Sequence, residues 1–163
     1  MEFIHNCYFL FMILYRVSRT KYANDLTGEG ARLHGGRWNH ISIPCIYTSE
    51  SRALAVLEYT VNVNIDDIPG SLSFTTFEVP DTNIQEVKSV DLPGNWTEAS
   101  APSSTKDFGS KILSGLASPV IKIPSAIIPQ EFNYLLNPLH TDSSHFKILS
   151  VQDFVYDVRI KLV

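Results

Sequence analysis

The sequence predicts a single α+β domain with a central sheet of antiparallel or mixed strands. Its 163 residues have the size of one ordinary domain. Hydrophobic residues make up 44% and charged residues 18%, which is enough apolar material to build a core. The predicted strands outnumber the helices and some follow one another directly, which disfavours a regular alternation of strand and helix. No Gly-x-Gly-x-x-Gly follows a strand, which argues against a doubly wound dinucleotide fold.

The chain begins with an apolar stretch, residues 1–14, whose only charge is Glu2. It has no positively charged start and no small-residue cleavage site, so we do not interpret it as a signal peptide. We predict the first strand at 13–17, with residues 1–11 as an extended leader of the single domain 1–163. Either Met1 or Met12 serves as the native start. No segment is long and apolar enough to cross a bilayer, which indicates a soluble protein without a membrane partner.

The remaining elements follow from periodicity and from turn residues. The polar, glycine-containing stretch 20–42 is predicted to be a long functional loop. Ser49 is placed to cap a helix that runs from 50 to about 61. A second helix is predicted at 103–116. Further strands are predicted at 43–48, 71–79, 84–90, 120–123 and 154–162, the last of these with clean apolar alternation.

Charge is distributed unevenly along the chain. The net charge of −4 and the pI of about 5.7 argue against a dedicated nucleic-acid binder, which carries a basic face. Arginine suits bidentate recognition of phosphate or carboxylate, so an arginine-rich first third predicts a local anion pocket. The alternative is that these side chains are solvated or paired with surface carboxylates. The arginines are Arg16, Arg19, Arg32, Arg37 and Arg52.

The cysteines and histidines predict neither a metal site nor a disulfide framework. Cys7 and Cys45 are too few for a four-thiolate zinc site, and although one pair could form, a reduced cytoplasmic chain is the simpler interpretation. Cys45 lies in an apolar strand, where a thiolate is unfavourable. The five histidines fit no metal-ligand spacing.

The segment Gly35-Gly-Arg-Trp-Asn39 combines features of a ligand-binding loop. At Gly36 the backbone can approach a ligand closely, and the neighbouring Arg37 supplies a fork of donors. Trp38 offers an apolar wall, and Asn39 can recognise an amide or a hydroxyl. Such a set suits a phosphorylated, ring-bearing ligand. The alternative, a plain Gly-Gly turn with a core Trp, is the one that spacing alone favours.

Glu58 and Ser125 are the other candidate functional side chains. Glu58 interrupts an apolar helix, so its carboxylate must be paired, hydrogen-bonded or exposed in a cleft. A structural partner such as Arg16 or Arg37 is the simpler explanation. Ser125, between Pro124 and Ala126, could orient a neighbouring carboxylate, and it lacks the Gly-x-Ser-x-Gly context of a hydrolase nucleophile.

These residues together resemble the RES-domain proteins, the toxin components of bacterial type II toxin–antitoxin pairs. The resemblance extends from about Met12 to the C-terminus, and the order and spacing of its motifs make it specific. It implies a compact fold related to the ADP-ribosyltransferases, with NAD⁺ as substrate in a cleft and no metal. The matching motifs are Tyr15-Arg16, Gly28-x-Gly30-Ala31, Gly35-Gly-Arg-Trp-Asn39, Pro44-x-x-Tyr-Thr-Ser49, Glu58, Pro124-Ser-Ala126 and Asn137-Pro-x-His140.

The resemblance also implies roles for individual residues. Arg37 grips the phosphates, with help from Arg16, and Tyr47 packs on the nicotinamide ring. Glu58 contacts the ribose and stabilises an oxocarbenium-like state, and Ser125 orients Glu58 or the ribose. The implied catalytic residues are Arg37, Tyr47, Glu58 and Ser125, and the implied NAD⁺-binding residues are Tyr15, Arg16, Gly36, Trp38 and Asn39.

The function implied is a toxin that depletes NAD⁺ by hydrolysis or phosphorolysis of the nicotinamide–ribose bond. The alternatives are a mono-ADP-ribosyltransferase with a protein target and a non-catalytic binding module. Leu57 and Tyr59 flank Glu58, so it has no second carboxylate beside it, which speaks against arginine-directed transfer. The resemblance further implies an Xre-type helix-turn-helix antitoxin that occludes the NAD⁺ site and makes any DNA contact. The acceptor, the stoichiometry and homo-oligomerisation stay open.

Overall fold

In the computed structural model, which describes residues 10–64, 66, 68 and 70–161, seven strands form one sheet. Their order across the sheet is β4-β5-β6-β2-β1-β3-β7. β4 and β5 run parallel, and the other neighbours are antiparallel. The predicted α+β class with a mixed sheet is therefore confirmed. The strands are β1 (Phe11–Arg19), β2 (Ile46–Ser49), β3 (Leu72–Pro80), β4 (Ile84–Glu86), β5 (Val120–Pro124), β6 (Phe132–Leu136) and β7 (Lys147–Phe154).

Three α-helices accompany the sheet in the described part of the chain: α1 (Glu29–His34), α2 (Arg52–Val61) and α3 (Ser103–Gly115). The Ser51 hydroxyl accepts a hydrogen bond from the Leu54 N–H at 3.1 Å and so caps α2. Ser49, the predicted cap, is instead the last residue of β2. None of the described helices is long and apolar enough to span a bilayer.

The sheet divides between β1 and β2. Among the described residues, Tyr15 and Ser49 are the one registered pair that joins these two strands. β1 pairs instead with β3 along its whole length, and β2 pairs with β6. The half-sheets β4-β5-β6-β2 and β1-β3-β7 therefore separate beyond Tyr15, and a cleft opens where they part.

Apolar side chains pack in three clusters around the two half-sheets. A small cluster of Val17, Ala55 and Phe74 fixes α2 against β1 and β3. The buried members of the cluster beneath α3 are Trp38, Cys45, Val87, Leu92, Trp96, Leu113, Ile121, Ile123 and Leu135. Those of the remaining cluster are Leu14, Ile46, Phe77, Val79, Val120, Leu136 and Phe146.

A short helix, α1, lies inside the stretch 20–42 that was predicted to be a loop. Gly28 precedes it with φ of +71°, and a Cβ at this position would lie 2.6 Å from the backbone nitrogen of Cys45. The Asp25 carboxylate accepts a hydrogen bond from the Glu29 N–H at 2.8 Å and so holds the first turn. Six residues between glycines carry too little periodicity to predict this helix.

The predicted strand at 154–162 is wrong. β7 ends at Phe154, and a 3₁₀ turn follows at Val158–Ile160. The Asp157 carboxylate accepts a hydrogen bond from the Arg159 N–H at 3.0 Å, which turns the chain away from the extended direction. Tyr156 is buried, and its hydroxyl donates to Thr60 Oγ1 at 2.9 Å. Residues 162–163 lie outside the described residues.

The start of the chain is described only from Leu10. β1 begins at Phe11, so the first strand is longer than the predicted 13–17. Residues 1–9, which include Cys7 and most of the predicted leader, lie outside the described residues.

Asp25 predicts a pH dependence of stability. Burial opposes its ionisation, but hydrogen bonds from Thr27 and Glu29 and the charge of Arg16 outweigh this effect and lower its pKa below 3.8. A carboxylate whose pKa is lowered by folding stabilises the protein above its unfolded-state pKa, and this contribution is lost as the pH falls through the folded-state pKa. We therefore expect Asp25→Asn to lower the free energy of unfolding at pH 7, and the difference from wild type to shrink below about pH 4. Urea denaturation at both pH values measures this, and an equal difference at both would contradict it.

Candidate active site

The cleft between the half-sheets has a volume of about 780 Å³. This lies within the range of roughly 300–1,000 Å³ that is usual for small-molecule sites. Its walls come from the end of β1, the Gly35–Trp38 segment, β2, α2 and the start of β6. The polar and aromatic lining residues of greatest interest are Arg19, Arg37, Tyr47, Glu58, Tyr59 and Asn133.

Glu58 lies on α2 and faces the ends of β5 and β6. The Ser125 hydroxyl donates to Glu58 Oε1 at 2.7 Å, and the Asn133 side-chain amide donates to the same oxygen at 2.5 Å. Both donors are neutral, so they hold the carboxylate without neutralising its charge. Arg16 and Arg37, the partners considered from the sequence, donate instead to backbone carbonyls within the described part of the chain.

Ser125 is held by the turn that follows β5. Its hydroxyl oxygen accepts hydrogen bonds from the N–H groups of Ile127 and Ile128 at 3.1 and 3.2 Å. Because the oxygen accepts from the turn, its proton is directed at Glu58. Ser125 is fully buried, which suits orientation of a carboxylate and not nucleophilic attack.

Arg37 joins the Gly35–Trp38 segment to a loop on the rim of the cleft. Its guanidinium donates to the carbonyl of Trp96 at 3.0 Å and to that of Ala99 at 3.2 Å. A guanidinium carries five N–H donors, so these two bonds leave others for an anionic ligand. Arg37 thus combines a structural attachment with N–H groups that make no hydrogen bond with the described residues.

Tyr47 links β2 to the same segment. Its hydroxyl donates to Asn39 Oδ1 at 2.6 Å and accepts from the Trp38 N–H at 3.0 Å. Burial raises the pKa of Tyr47 well above 10, so the phenol stays neutral. A Cβ at Gly36 would lie 2.5 Å from the Tyr47 hydroxyl oxygen, which explains the glycine at this position. With its hydroxyl engaged, Tyr47 has its ring left to contact a ligand.

Trp38 and Asn39 have buried side chains that hold the loop. The Asn39 amide donates to the carbonyls of Ala31, His40 and Ile43 at 2.8–3.1 Å. The Trp38 ring packs edge-on against Phe108, with 6.3 Å between ring centroids. The Trp38 side chain is therefore a core side chain, as in the alternative that spacing favoured, and the direct ligand contacts of both residues stay predictions.

Tyr15 and Arg16 lie side by side where β1 leaves β2, but on opposite faces of the strand. Arg16 is largely buried, with its guanidinium over the Phe77 ring at 5.0 Å and donating to the Tyr22 carbonyl at 2.6 Å. Burial lowers the pKa of Arg16 to about 10, partly offset by Asp25, so the side chain remains charged at neutral pH. Its Nε is buried and makes no hydrogen bond with the described residues. The Tyr15 ring lies beneath the guanidinium of Arg52, 4.6 Å away.

His, Cys, Asp and Glu are the residue types whose side chains usually bind metal ions in proteins. Among the described residues, no group of three or more His, Cys, Asp or Glu side chains could hold a metal ion. Cys45 is buried, and burial raises the pKa of its thiol far above the usual value, so it stays protonated.

Asn133 and Ser49 are the members of the Glu58 cluster that the sequence did not single out as site residues. The Ser49 hydroxyl donates to Asn133 Oδ1 at 2.7 Å, across the pairing of β2 with β6. β6 itself was not predicted as a strand. The one local signal for Asn133 is its position as a polar residue at the start of an apolar run. Its partner, Ser49, is identified only by the register of β2 with β6.

Replacing Tyr47 by Phe tests its role in holding the loop. The ring remains, but the Trp38 N–H and Asn39 Oδ1 each lose a buried partner. We expect the free energy of unfolding to fall by about 1–3 kcal/mol, measured by urea denaturation. Tyr59→Phe is the control because the Tyr59 hydroxyl makes no hydrogen bond with the described residues. Equal effects of the two substitutions would contradict this role.

Comparisons with known proteins identify the family of this chain. The RES domain family model matches residues 13–158. The Toxin Res of Yersinia enterocolitica serotype O:8 / biotype 1B is 37% identical over 153 residues, which cover 92% of this chain and 100% of that protein. The Prs ADP-ribosylating toxin of Sphingobium sp. (strain YBL2) is 36% identical over 147 residues, which cover 88% and 91%.

A solved structure shares the fold. In the MbcT–MbcA toxin–antitoxin complex of M. tuberculosis, one chain superposes with a TM-score of 0.72 over 90% of this chain and 85% of that one. The sequence identity is 18%, so this likeness concerns the fold alone.

Proposed function

The chain belongs to the RES-domain family of toxins, and we propose that its cleft binds NAD⁺ and cleaves the bond between nicotinamide and ribose. The observation that carries this proposal is the Glu58 carboxylate, which two neutral donors hold in the wall of a cleft of about 780 Å³. A fixed negative charge in such a cleft suits a reaction in which positive charge develops on the substrate.

Cleavage of the nicotinamide–ribose bond depends more on a negatively charged carboxylate than on a group that donates a proton. Nicotinamide joined to ribose is cationic, and it leaves as a neutral molecule when it takes the electron pair of the broken bond. Positive charge then develops on the ribose, as in glycoside hydrolysis. Ionised Glu58 stabilises this charge, and Ser125 keeps the carboxylate in place.

The rest of the cleft fits the other parts of NAD⁺. The N–H groups of Arg37 that make no hydrogen bond with the described residues bind the pyrophosphate. Arg16, whose Nε is buried behind the wall of the cleft, supports this binding through its positive charge. The Tyr47 ring lines the cleft and packs on the nicotinamide, while its hydroxyl stays bonded to Asn39 and to the Trp38 N–H. Gly36, Trp38 and Asn39 form the loop that carries Arg37, and Tyr15 lies at the point where β1 and β2 separate.

Proton NMR of NAD⁺ with the purified protein, in one buffer without phosphate and one with phosphate, tests this function. We expect free nicotinamide to appear together with ADP-ribose when water is the acceptor. A phosphate-dependent product, ADP-ribose carrying a new phosphate, would instead identify a phosphorylase. Unchanged NAD⁺ in both buffers would contradict cleavage by the chain on its own.

A second candidate is transfer of ADP-ribose to a protein. The name of the Sphingobium relative, an ADP-ribosylating toxin, favours it. Labelled NAD⁺ in a cell lysate would then yield a labelled macromolecule that is absent with Glu58→Gln. Free ADP-ribose as the sole labelled product would exclude this candidate.

We further propose that an Xre-type helix-turn-helix antitoxin inserts a segment into the cleft and excludes NAD⁺. The structural neighbour is the toxin of a toxin–antitoxin complex. The chain's net charge of −4 suits contact with DNA through that partner alone. A toxin that depletes NAD⁺ needs access to the NAD⁺ of the cell, so we propose that it acts in the cytoplasm. The antitoxin should co-purify with the chain and inhibit NAD⁺ binding competitively, and a complex that still binds NAD⁺ would contradict occlusion.

A further inference from the structure

We infer that Asn133, supported by Ser49, is a positioning residue that fixes the orientation of the Glu58 carboxylate; the inference rests on the proposed function. Three side chains form a continuous chain of hydrogen bonds. The Ser49 hydroxyl donates to Asn133 Oδ1 at 2.7 Å, and Asn133 Nδ2 donates to Glu58 Oε1 at 2.5 Å.

The strand register builds this chain of hydrogen bonds. Ser49 and Asn133 face each other across β2 and β6, and Ser49 is also the residue that pairs with Tyr15 of β1. Ser49 is buried, with 3% of its surface exposed, so its hydroxyl depends on a protein acceptor. Its hydrogen bond to the amide oxygen turns the amide nitrogen of Asn133 toward Glu58.

Two donors that meet at one carboxylate oxygen define its rotation. Asn133 and Ser125 approach from different elements, β6 and the turn after β5, and both donate to Oε1 of Glu58. No hydrogen bond from a described residue reaches Oε2. Rotation of the carboxylate would break two hydrogen bonds to a charged group, so these donors hold the carboxylate in one orientation in the wall of the cleft.

Loss of Asn133 should therefore affect the chemical step and not NAD⁺ binding. With Ser125 alone, the carboxylate turns about a single contact, and its charge no longer stays where the ribose develops positive charge. The groups proposed to hold the pyrophosphate and the nicotinamide ring do not depend on Asn133. The expected signature is a lower kcat with nearly unchanged KM.

The experiment compares Asn133→Ala and Ser49→Ala with Thr48→Val in steady-state NAD⁺ cleavage. Thr48 donates to the Tyr134 carbonyl at 2.8 Å in the neighbouring pair of the same two strands, so its substitution controls for a weakened β2–β6 contact. We expect kcat to fall about 10–100-fold in Asn133→Ala and by less in Ser49→Ala, with KM within about two-fold. Asn133→Asp, which keeps the shape but places a second carboxylate against Glu58, should be at least as impaired as Asn133→Ala. Thr48→Val should match wild type.

A second measurement makes the result independent of turnover. In ¹⁵N–¹H spectra, we expect one side-chain amide proton of Asn133 to lie downfield because it is bound to a carboxylate, and to return to an ordinary position in Glu58→Ala. An ordinary position in wild type would overturn the inference, as would a kcat for Asn133→Ala equal to that of Thr48→Val. A wild-type protein that leaves NAD⁺ intact while keeping the downfield signal would instead refute the proposed function and retain the contact.

Discussion

Replacing Glu58 by Gln is expected to lower the rate of NAD⁺ cleavage by about 10²–10³-fold while NAD⁺ still binds. Glutamine keeps the shape of the side chain and can still accept hydrogen bonds from Ser125 and Asn133, but it removes the negative charge. That charge acts mainly in the transition state, when the ribose becomes positive, so the loss falls on kcat. Nicotinamide release measures kcat, and calorimetry with NAD⁺ measures binding.

Glu50→Gln is the matched control for this substitution. Glu50 is an exposed carboxylate just before α2 that accepts a hydrogen bond from the Phe132 N–H at 2.9 Å. Gln at this position keeps the acceptor oxygen, so we expect cleavage at the wild-type rate. Equal rates of NAD⁺ cleavage by Glu58→Gln and Glu50→Gln would show that Glu58 is not a catalytic residue.

Gly109→Ala is expected to cause the largest loss of stability among single methyl additions to α3. A Cβ at Gly109 would lie 2.1 Å from the carbonyl oxygen of Trp38, which is backbone and has little room to move. The helix must then shift away from the segment that carries Arg37. We expect the free energy of unfolding to fall by about 3 kcal/mol, measured by urea denaturation.

Gly115→Ala provides the contrasting result on the same helix. A Cβ at Gly115 meets no atom within 4 Å, so alanine adds helix propensity without a clash. We expect a gain of up to about 0.5–1 kcal/mol. Equal changes in the free energy of unfolding for Gly109→Ala and Gly115→Ala would contradict the close packing of α3 on the Trp38 carbonyl at Gly109.

The sequence indicated part of the Glu58 cluster because that part depends on local pattern. A carboxylate within the apolar run of α2 needs a partner or a cleft whatever the fold, and Ser125 next to a strand-ending proline suggests an orienting hydroxyl. Asn133 and Ser49 were not identified as site residues, because their hydrogen bond arises from the register of β2 with β6. That register follows from the packing of the whole sheet and from no local signal.

The strand predicted at 154–162 and the loop predicted at 20–42 differ from the structure for different physical reasons. The clean apolar alternation after Phe154 predicts a strand, but the strand needs a partner, and β7 has already used the edge of β3 up to Leu72. Asp157 then turns the chain. In the glycine-rich stretch 20–42, the side chain that holds the first turn of α1 is Asp25, four residues before Glu29. The strand thus fails for want of a tertiary partner. The helix was missed because a local side-chain contact to the backbone, which apolar periodicity does not reveal, holds its first turn.

A crystal structure of Glu58→Gln with NAD⁺ would show whether Glu58 faces the bond that is cleaved. We expect NAD⁺ in the cleft between β1 and β2, with the ribose carbon that bears nicotinamide facing position 58. The pyrophosphate should lie at Arg37 and the nicotinamide ring against Tyr47. NAD⁺ bound at another surface, or in the cleft with its ribose remote from position 58, would exclude Glu58 as the group that stabilises the ribose.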